Sequence, residues 1–465
     1  MRTVVVVPLT VACAIFLQNV SSTALGTALP AVAASLDEPV LRLHLAITGY
    51  LLSLAVFLPA SGWIADRFGA RLVFQTAIGI FSLGSLLCGL ATTFEGLLAA
   101  RVLQGFGGAM MVPVGRLILV RSVPKHELVK AWVLMTVPAQ VGPVVGPLIG
   151  GALTTYVSWH WIFWFNLPVG ILGIALAAAF FQDVREEVRR PFDPAGFVLS
   201  GIGLAALLFG IDAWTTETMP QGMALLAIAL GAVAGTLYVF HARRAAHAII
   251  DLRLLKIQTF RVSIVAGALS RIGAGSLPFL LPLLLQAGFG YSPLQSGLVT
   301  FASAAGALGM RGLVAKVLRR TGFRPVLIWS ALVGGLSIAA CAMFAQSTPV
   351  TVMVTVLFLG GVVRALQFTS VNALAFADVS SSEMSHATSF SSMVQQLSLS
   401  MGVAVAALVL HHSKGDSGSI PPGSFSLAFL VVGAAAASSI LLYRTLPAHA
   451  GEELAGRLTK RGERG

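Results

Sequence analysis

The 465 residues are 56% hydrophobic and only 10% charged, with a formal net charge of +12. A soluble globular domain carries roughly 25% charged residues, so this composition excludes a water-soluble core and reads as a set of transmembrane helices of about 20 residues each. The positive charge is no nucleic-acid signal, because it is concentrated in loops of one side and so marks membrane orientation.

In chain order the apolar runs predict fourteen spans, at about 6–34, 43–65, 71–92, 95–121, 128–155, 160–181, 194–213, 222–241, 260–286, 293–318, 325–346, 349–374, 386–411 and 424–444. The first run is too long for the apolar part of a signal peptide and leads into a further span. An even number of spans puts both termini on one side. Outside the spans nearly every Lys and Arg falls in the loops of that side, and only Arg42 and Lys414 lie opposite. Both termini are therefore expected in the cytoplasm. Charged loops at 182–193 and 241–261 set off two short spans. The expected organisation is a six-helix bundle in 1–181, a linker with two additional helices in 182–259, and a second six-helix bundle with a tail in 260–465. Cys13, Cys88 and Cys341 all lie in apolar runs, without disulfide or metal-ligand spacing, and read as small buried hydrophobes.

The first span carries Gln18, Asn19 and Ser21 within apolar sequence, followed by Thr27-Ala28-Leu29-Pro30. The second carries His44 and Tyr50 and ends in Gly62-Trp-Ile-Ala-Asp66-Arg67-Phe-Gly69-Ala-Arg71. A glycine turn with one acid and two bases at a helix mouth can latch one side of a bundle closed. The fourth span holds Arg101-Val-Leu-Gln104-Gly105-Phe-Gly107-Gly108. A buried Arg costs about 2.5–3.5 kcal/mol on insertion scales, so it faces the interior or a wet cavity. In the fifth span, after Gln140, Gly142, Gly146 and Gly150 recur every four residues, with Pro143, Pro147 and Gly151 between and beside them. The glycines make a stripe where another backbone can approach, and each proline removes a helical N–H and invites a kink. The sixth span opens on Ser158-Trp159-His160-Trp161-Ile-Phe163-Trp-Phe-Asn166-Leu-Pro168, whose tryptophans suit a membrane interface.

These patterns resemble the major facilitator superfamily, and within it the fourteen-span drug/proton antiporters. The loop after the second span resembles the superfamily's G-x-x-x-D-R-x-G-x-R, the fourth span its R-x-x-Q-G-x-G, and the fifth the antiporter pattern G-x-x-x-G-P-x-x-G-G. The resemblance implies two six-helix halves plus two central helices, an all-α polytopic fold in a bacterial inner membrane. It also implies multidrug efflux by proton antiport through alternating access, with Arg101 tied to proton coupling. Two departures stand out. Ser21 occupies the place of the first-span acid, and Lys316 stands where the second half's loop would carry its own.

Polar residues inside spans are the candidates for a substrate cavity: Gln18, Asn19, Ser21, His44, Tyr50, Gln140, Arg271, Arg364, Gln367, Asn372, Gln395 and Gln396. Without an acid in the first span a cationic substrate lacks a counter-ion there, which leaves an anionic or neutral amphipath open. No Walker sequence occurs, so direct ATP drive is not expected. The His411–His412 pair lies at a span end without acidic company, and an enzyme, a cofactor or a metal site is not expected. The expected partners are a small amphipathic substrate, protons and the lipid bilayer, with no nucleic acid and the chain a monomer. A carrier of one metabolite with weak or no proton coupling, and a sensor that does not transport, remain open beside efflux.

Overall fold

A computed structural model describes residues 2–123, 127–181, 191–216, 220–245, 248–380, 383–413 and 422–452. Among these, fourteen helical segments follow one another: α1 (Arg2–Leu36), α2 (Val40–Phe68), α3 (Ala70–Leu90), α4 (Phe94–Ser122), α5 (Leu128–Tyr156), α6 (Trp161–Phe180), α7 (Pro194–Thr216), α8 (Gln221–Arg244), α9 (Gln258–Gly288), α10 (Pro293–Thr321), α11 (Phe323–Met343), α12 (Val350–Ala375), α13 (Met384–His412) and α14 (Pro422–Tyr443). Each expected span has its helix, with ends shifted by a few residues. Twelve are long and apolar enough to cross a membrane, and α10, bent by 60° between Met310 and Gly312, makes a thirteenth when taken whole. The last, α5, is 29 residues long with Lys130 its only charge, although several of its side chains, Gln140 among them, lie outside the described residues. It runs as one helix through Pro138, Pro143 and Pro147.

Local chemistry sets the breaks between helices. Gly69 adopts φ +92° in the one-residue connection from α2 to α3, and Gly322 adopts φ +85° in the equivalent connection from α10 to α11. L side chains rarely take that conformation, which is why glycine stands at both. Thr93 caps α4 by accepting from the Gly96 N–H at 3.2 Å. Asp193 ties three places together. It accepts from Gly196 N at 2.8 Å to cap α7, from His241 Nε2 at 2.7 Å near the end of α8, and from Ile249 N at 3.2 Å.

The chain forms two compact units, one of 1–249 with 291–298, the other of 250–290 with the remainder from 299. In the first, α1 packs along α5, α3 on α4 and α6, and α2 on α4. The hairpin of α7 and α8 packs on itself and, through α7, on α2. It is the least covered part of that unit, with 28% and 22% of the apolar windows of α7 and α8 buried against 61% in α1. The second unit repeats the pairings, with α9 on α13 and α11 on α12 and α14. Bare backbone makes the closest approaches. A Cβ at Gly361 of α12 would collide with the Ser303 carbonyl of α10, and one at Gly306 with that of Phe358, as expected where helices meet through small residues in lipid.

Candidate functional site

Arg101 lies wholly buried where α1, α2, α3, α4 and α6 converge. Its Nε donates to the Ala46 carbonyl at 3.0 Å and its Nη1 to Gln104 Oε1 at 2.6 Å. The Ser21 carbonyl stands 3.4 Å from Nη1, and the guanidinium lies over the Tyr50 ring, 4.2 Å from its centroid. Gln104 passes its own N–H groups to Ser85 Oγ at 2.7 Å and toward Ser21 Oγ at 3.5 Å. Asn166 donates to the same two hydroxyls, at 2.8 Å for Ser21 and 3.2 Å for Ser85. The place of the first-span acid is thus the junction of a neutral hydrogen-bond network around a buried cation. The ionisable groups facing Arg101 are Tyr50 and Cys88. Arg101 Nη2, Asn166 Oδ1 and Gln18 Oε1 are buried without a hydrogen-bond partner.

The glycine stripe of α5 lies against α1. A Cβ at Gly142 would stand 2.9 Å from Asn19 Cβ and the Phe16 carbonyl, one at Gly146 would collide with Thr23 Oγ1, and one at Gly150 with the Ala24 carbonyl. Gly151 meets the Pro293 backbone, and the Pro147 carbonyl faces Gly297. At the end of α2, Gly62 and Arg67 are exposed and Asp66 half-buried ahead of the turn at Gly69, and Arg71 donates to the Ala178 carbonyl. His160, just ahead of α6, stacks on Trp159 and pairs with Ser158 Oγ at 2.7 Å. Burial holds its imidazole below the usual histidine range.

The second unit has its own half-open pocket between α9 and α12, with a cavity volume of about 40 Å³ and a lining of Ser270, Arg271, Arg364, Gln367 and Phe368. Arg364 donates to Ser303 Oγ at 2.7 Å and Ser337 Oγ at 3.1 Å. Arg271, 5% exposed, gives Nη2 to Asn372 Oδ1 at 3.3 Å, while Nη1 is buried without a partner. Gln367 donates to Ser270 Oγ at 2.8 Å. Each arginine folds back over the glycine four residues before it. A Cβ at Gly267 would lie 2.9 Å from Arg271 Nη1, and one at Gly360 2.7 Å from Arg364 Nη1. Helical side chains lean toward the N-terminus over position i−4, so a bare Gly there gives the guanidinium its room.

The cavity candidates therefore fall into two groups and a remainder. Ser21 and Tyr50 join Arg101, with Gln18 alongside, its carbonyl 3.4 Å from the Tyr50 hydroxyl. Arg271, Arg364, Gln367 and Asn372 join in the second unit. His44 is buried at the start of its helix, with Nδ1 2.5 Å from the Leu41 carbonyl. The Asn19 carbonyl accepts from Ser22 and Thr23, and Gln395 and Gln396 lie half-buried on α13. Sequence reading left out Ser85, Gln104 and Asn166 as cavity candidates, and also the two Gly-x-x-x-Arg cradles. All were visible as small or amide residues at mid-span, and the cradles as a four-residue spacing.

Two units of apolar helices, each with an arginine cluster inside, describe a polytopic membrane protein of the transporter type. The chain matches the Major Facilitator Superfamily over residues 11–241 and 263–461, and it belongs to that superfamily. It is 41% identical over 436 residues to the multidrug resistance candidate MdtD of Pectobacterium carotovorum subsp. carotovorum (strain PC1), covering 94% of this chain and 91% of that one. It is likewise 41% identical over 435 residues to MdtD of Escherichia coli O6:H1, covering 93% and 92%. In fold it is similar to a POT family transporter crystallised with 5-aminolevulinic acid, with a TM-score of 0.71 at 14% identity over 97% and 96% of the two chains. It is also similar to the nucleoside transporter NupG, with a TM-score of 0.64 at 15% identity over 96% and 100%. At such identities the likeness concerns fold alone.

Proposed function

We propose that this chain exports small amphipathic compounds across a bacterial inner membrane by alternating access, as a monomer with both termini in the cytoplasm. The Arg101 cluster carries the reading. An intramembrane cation is costly and usually functional, and here helices from across the first unit hold it with neutral partners. The network ties those helices of the unit together, as a half that rocks as one body requires. The names of the 41% identical relatives support multidrug resistance as the setting.

Weak coupling to protons is the finer reading, and Ser21 favours it. A buried carboxylate releases and takes up protons near neutral pH because desolvation raises its pKa. A serine does not, and a guanidinium stays protonated. Reconstituted protein should move an amphipathic dye such as ethidium, or a member of a mixed-charge compound panel, down its own gradient, with a minor increase when a pH gradient is imposed. Arg101→Lys should abolish that flux, since an ammonium cannot bridge Ala46 and Gln104 while lying flat over Tyr50. Absence of flux for every compound would overturn transport, and flux that requires the pH gradient would overturn weak coupling.

A further inference from the structure

The pocket between α9 and α12 has a chemistry of its own. Two arginines line it, and among the described residues the ionisable groups facing them are Tyr443 at Arg271 and Cys341 at Arg364, neither of them a carboxylate. The hydrogen bonds they do make go to a neutral amide and two hydroxyls. Arg271 Nη1 is buried without a hydrogen-bond partner among the described residues. An unpaired donor on a buried cation leaves the desolvation of a charged group uncompensated, and a bound anion is what relieves it. Gln367 and Ser270 add uncharged hydrogen-bonding groups beside the guanidiniums. The ring of Phe368, 43% exposed, adds an apolar face beside them, 5.7 Å from the Arg271 guanidinium carbon. The two glycine cradles set both guanidiniums back against their own helices, which keeps the pocket open rather than filled by the arginines.

We infer that this pocket is an anion subsite, in which Arg271 and Arg364 take the oxyanion of an organic substrate whose apolar or aromatic body lies on Phe368. The inference rests on the export reading and gives it a substrate class. A cation is excluded here by two fixed positive charges, and a neutral amphipath leaves Arg271 Nη1 unpaired. Guanidinium–oxyanion hydrogen bonds are the strong, charge-assisted kind, so charge rather than size should dominate selection.

The test uses three probes of similar size whose charges are fixed near neutral pH: benzenesulfonate, benzenesulfonamide and benzyltrimethylammonium. Binding is measured on the full chain in nanodiscs of zwitterionic lipid. Benzenesulfonate should bind at least about tenfold more tightly than either other probe. Arg364→Gln and Arg271→Gln should each remove that preference. Phe368→Ala changes an exposed ring and spares the fold, so it should weaken benzenesulfonate while leaving methanesulfonate, which has no ring, unchanged. Equal binding of all three probes by wild type would overturn the subsite, and so would a methanesulfonate loss in Phe368→Ala matching that of benzenesulfonate. The same chemistry suits a lipid headgroup. If phosphatidylglycerol in the nanodisc abolishes benzenesulfonate binding, the pocket is a lipid site and the substrate assignment falls. Flux separates this inference from the reading beneath it. Dye export with no preference for benzenesulfonate overturns the subsite and keeps export, whereas bound benzenesulfonate with no flux of any compound keeps the subsite and overturns export.

Discussion

Arg71 and Arg324 make the same contact in the two units. Each follows by two residues a glycine of positive φ, Gly69 or Gly322. Each then donates through Nη2 to a backbone carbonyl at a helix end, Ala178 near the end of α6 and Arg444 just past α14, the latter at 3.0 Å. A guanidinium at a helix C-terminus meets unpaired carbonyls and the negative end of the dipole. The repeat therefore survives in the bases even where Lys316 replaces the acid.

Because the two contacts share no partner, their removal should be additive. Arg71→Ala and Arg324→Ala are expected to cost about 0.5–1 kcal/mol each, at the low end for exposed charge-assisted bonds. The double variant should lose the sum. Thermal midpoints of the three proteins in one detergent check this, and a double variant no worse than either single one would mean that the contacts do not hold helix ends.

Asp66 differs from its surroundings, as the single acid at a basic turn. Asp66→Asn keeps the shape and removes the charge, so flux should fall several-fold while the amount inserted in the membrane stays the same. Transport assays at matched protein amounts decide it, and unchanged flux would remove any latch role from the carboxylate.

On α5 the sharpest clash is between a side chain at Gly146 and the Thr23 hydroxyl. Gly146→Ala should destabilise by about 1–3 kcal/mol, the usual range for overpacking. Adding Thr23→Ala should restore part of it, because the obstructing atom is then gone. Val145→Leu, one position off the stripe, should be close to wild type. Thermal midpoints again serve, and a Gly146→Ala effect that Thr23→Ala leaves unchanged would place the strain elsewhere.

Much of this was readable from the chain because the bilayer imposes simple rules. Apolar length gave each helix to within a few residues. The glycine spacing from Gly142 to Gly150 marked a face where backbones meet, and the turn glycines marked the connections. The arginines could be found by their cost, but their partners could not. Arg101 is held by the Ala46 carbonyl and, through Gln104, by Ser85, and no periodicity says which mid-span hydroxyl faces which helix. His44 shows the converse. It is a cavity candidate as a polar residue inside a span, yet its ring nitrogen turns to the Leu41 carbonyl at the start of its own helix.

Ser21→Asp is the change that addresses proton coupling directly. It puts a carboxylate beside Gln104 and Asn166 and near Arg101, where Ser21 Oγ now accepts at 2.8 Å from Asn166. The variant should show a stronger dependence of flux on the imposed pH gradient than wild type. Proteoliposome flux across a pH series checks it, and a variant whose response to the gradient is as small as that of wild type would show that the missing acid is not what weakens coupling.

The α7–α8 hairpin turns most of its apolar surface outward, with Leu226, Leu230, Val233, Leu237 and Phe240 of α8 all at least half exposed. In a bilayer that surface is solvated by acyl chains, so the hairpin enlarges the ring of boundary lipid around the first unit. Each ångström of mismatch between a helix and its bilayer costs a fraction of a kcal/mol, and these two helices, with few protein neighbours to restrain their tilt, respond to it most directly. Asp193 joins the start of α7 to the end of α8 and to Ile249. A change in membrane thickness that tilts the hairpin is thereby passed to the peptide leading out of the first unit, which makes lipid chain length a variable that this protein should sense.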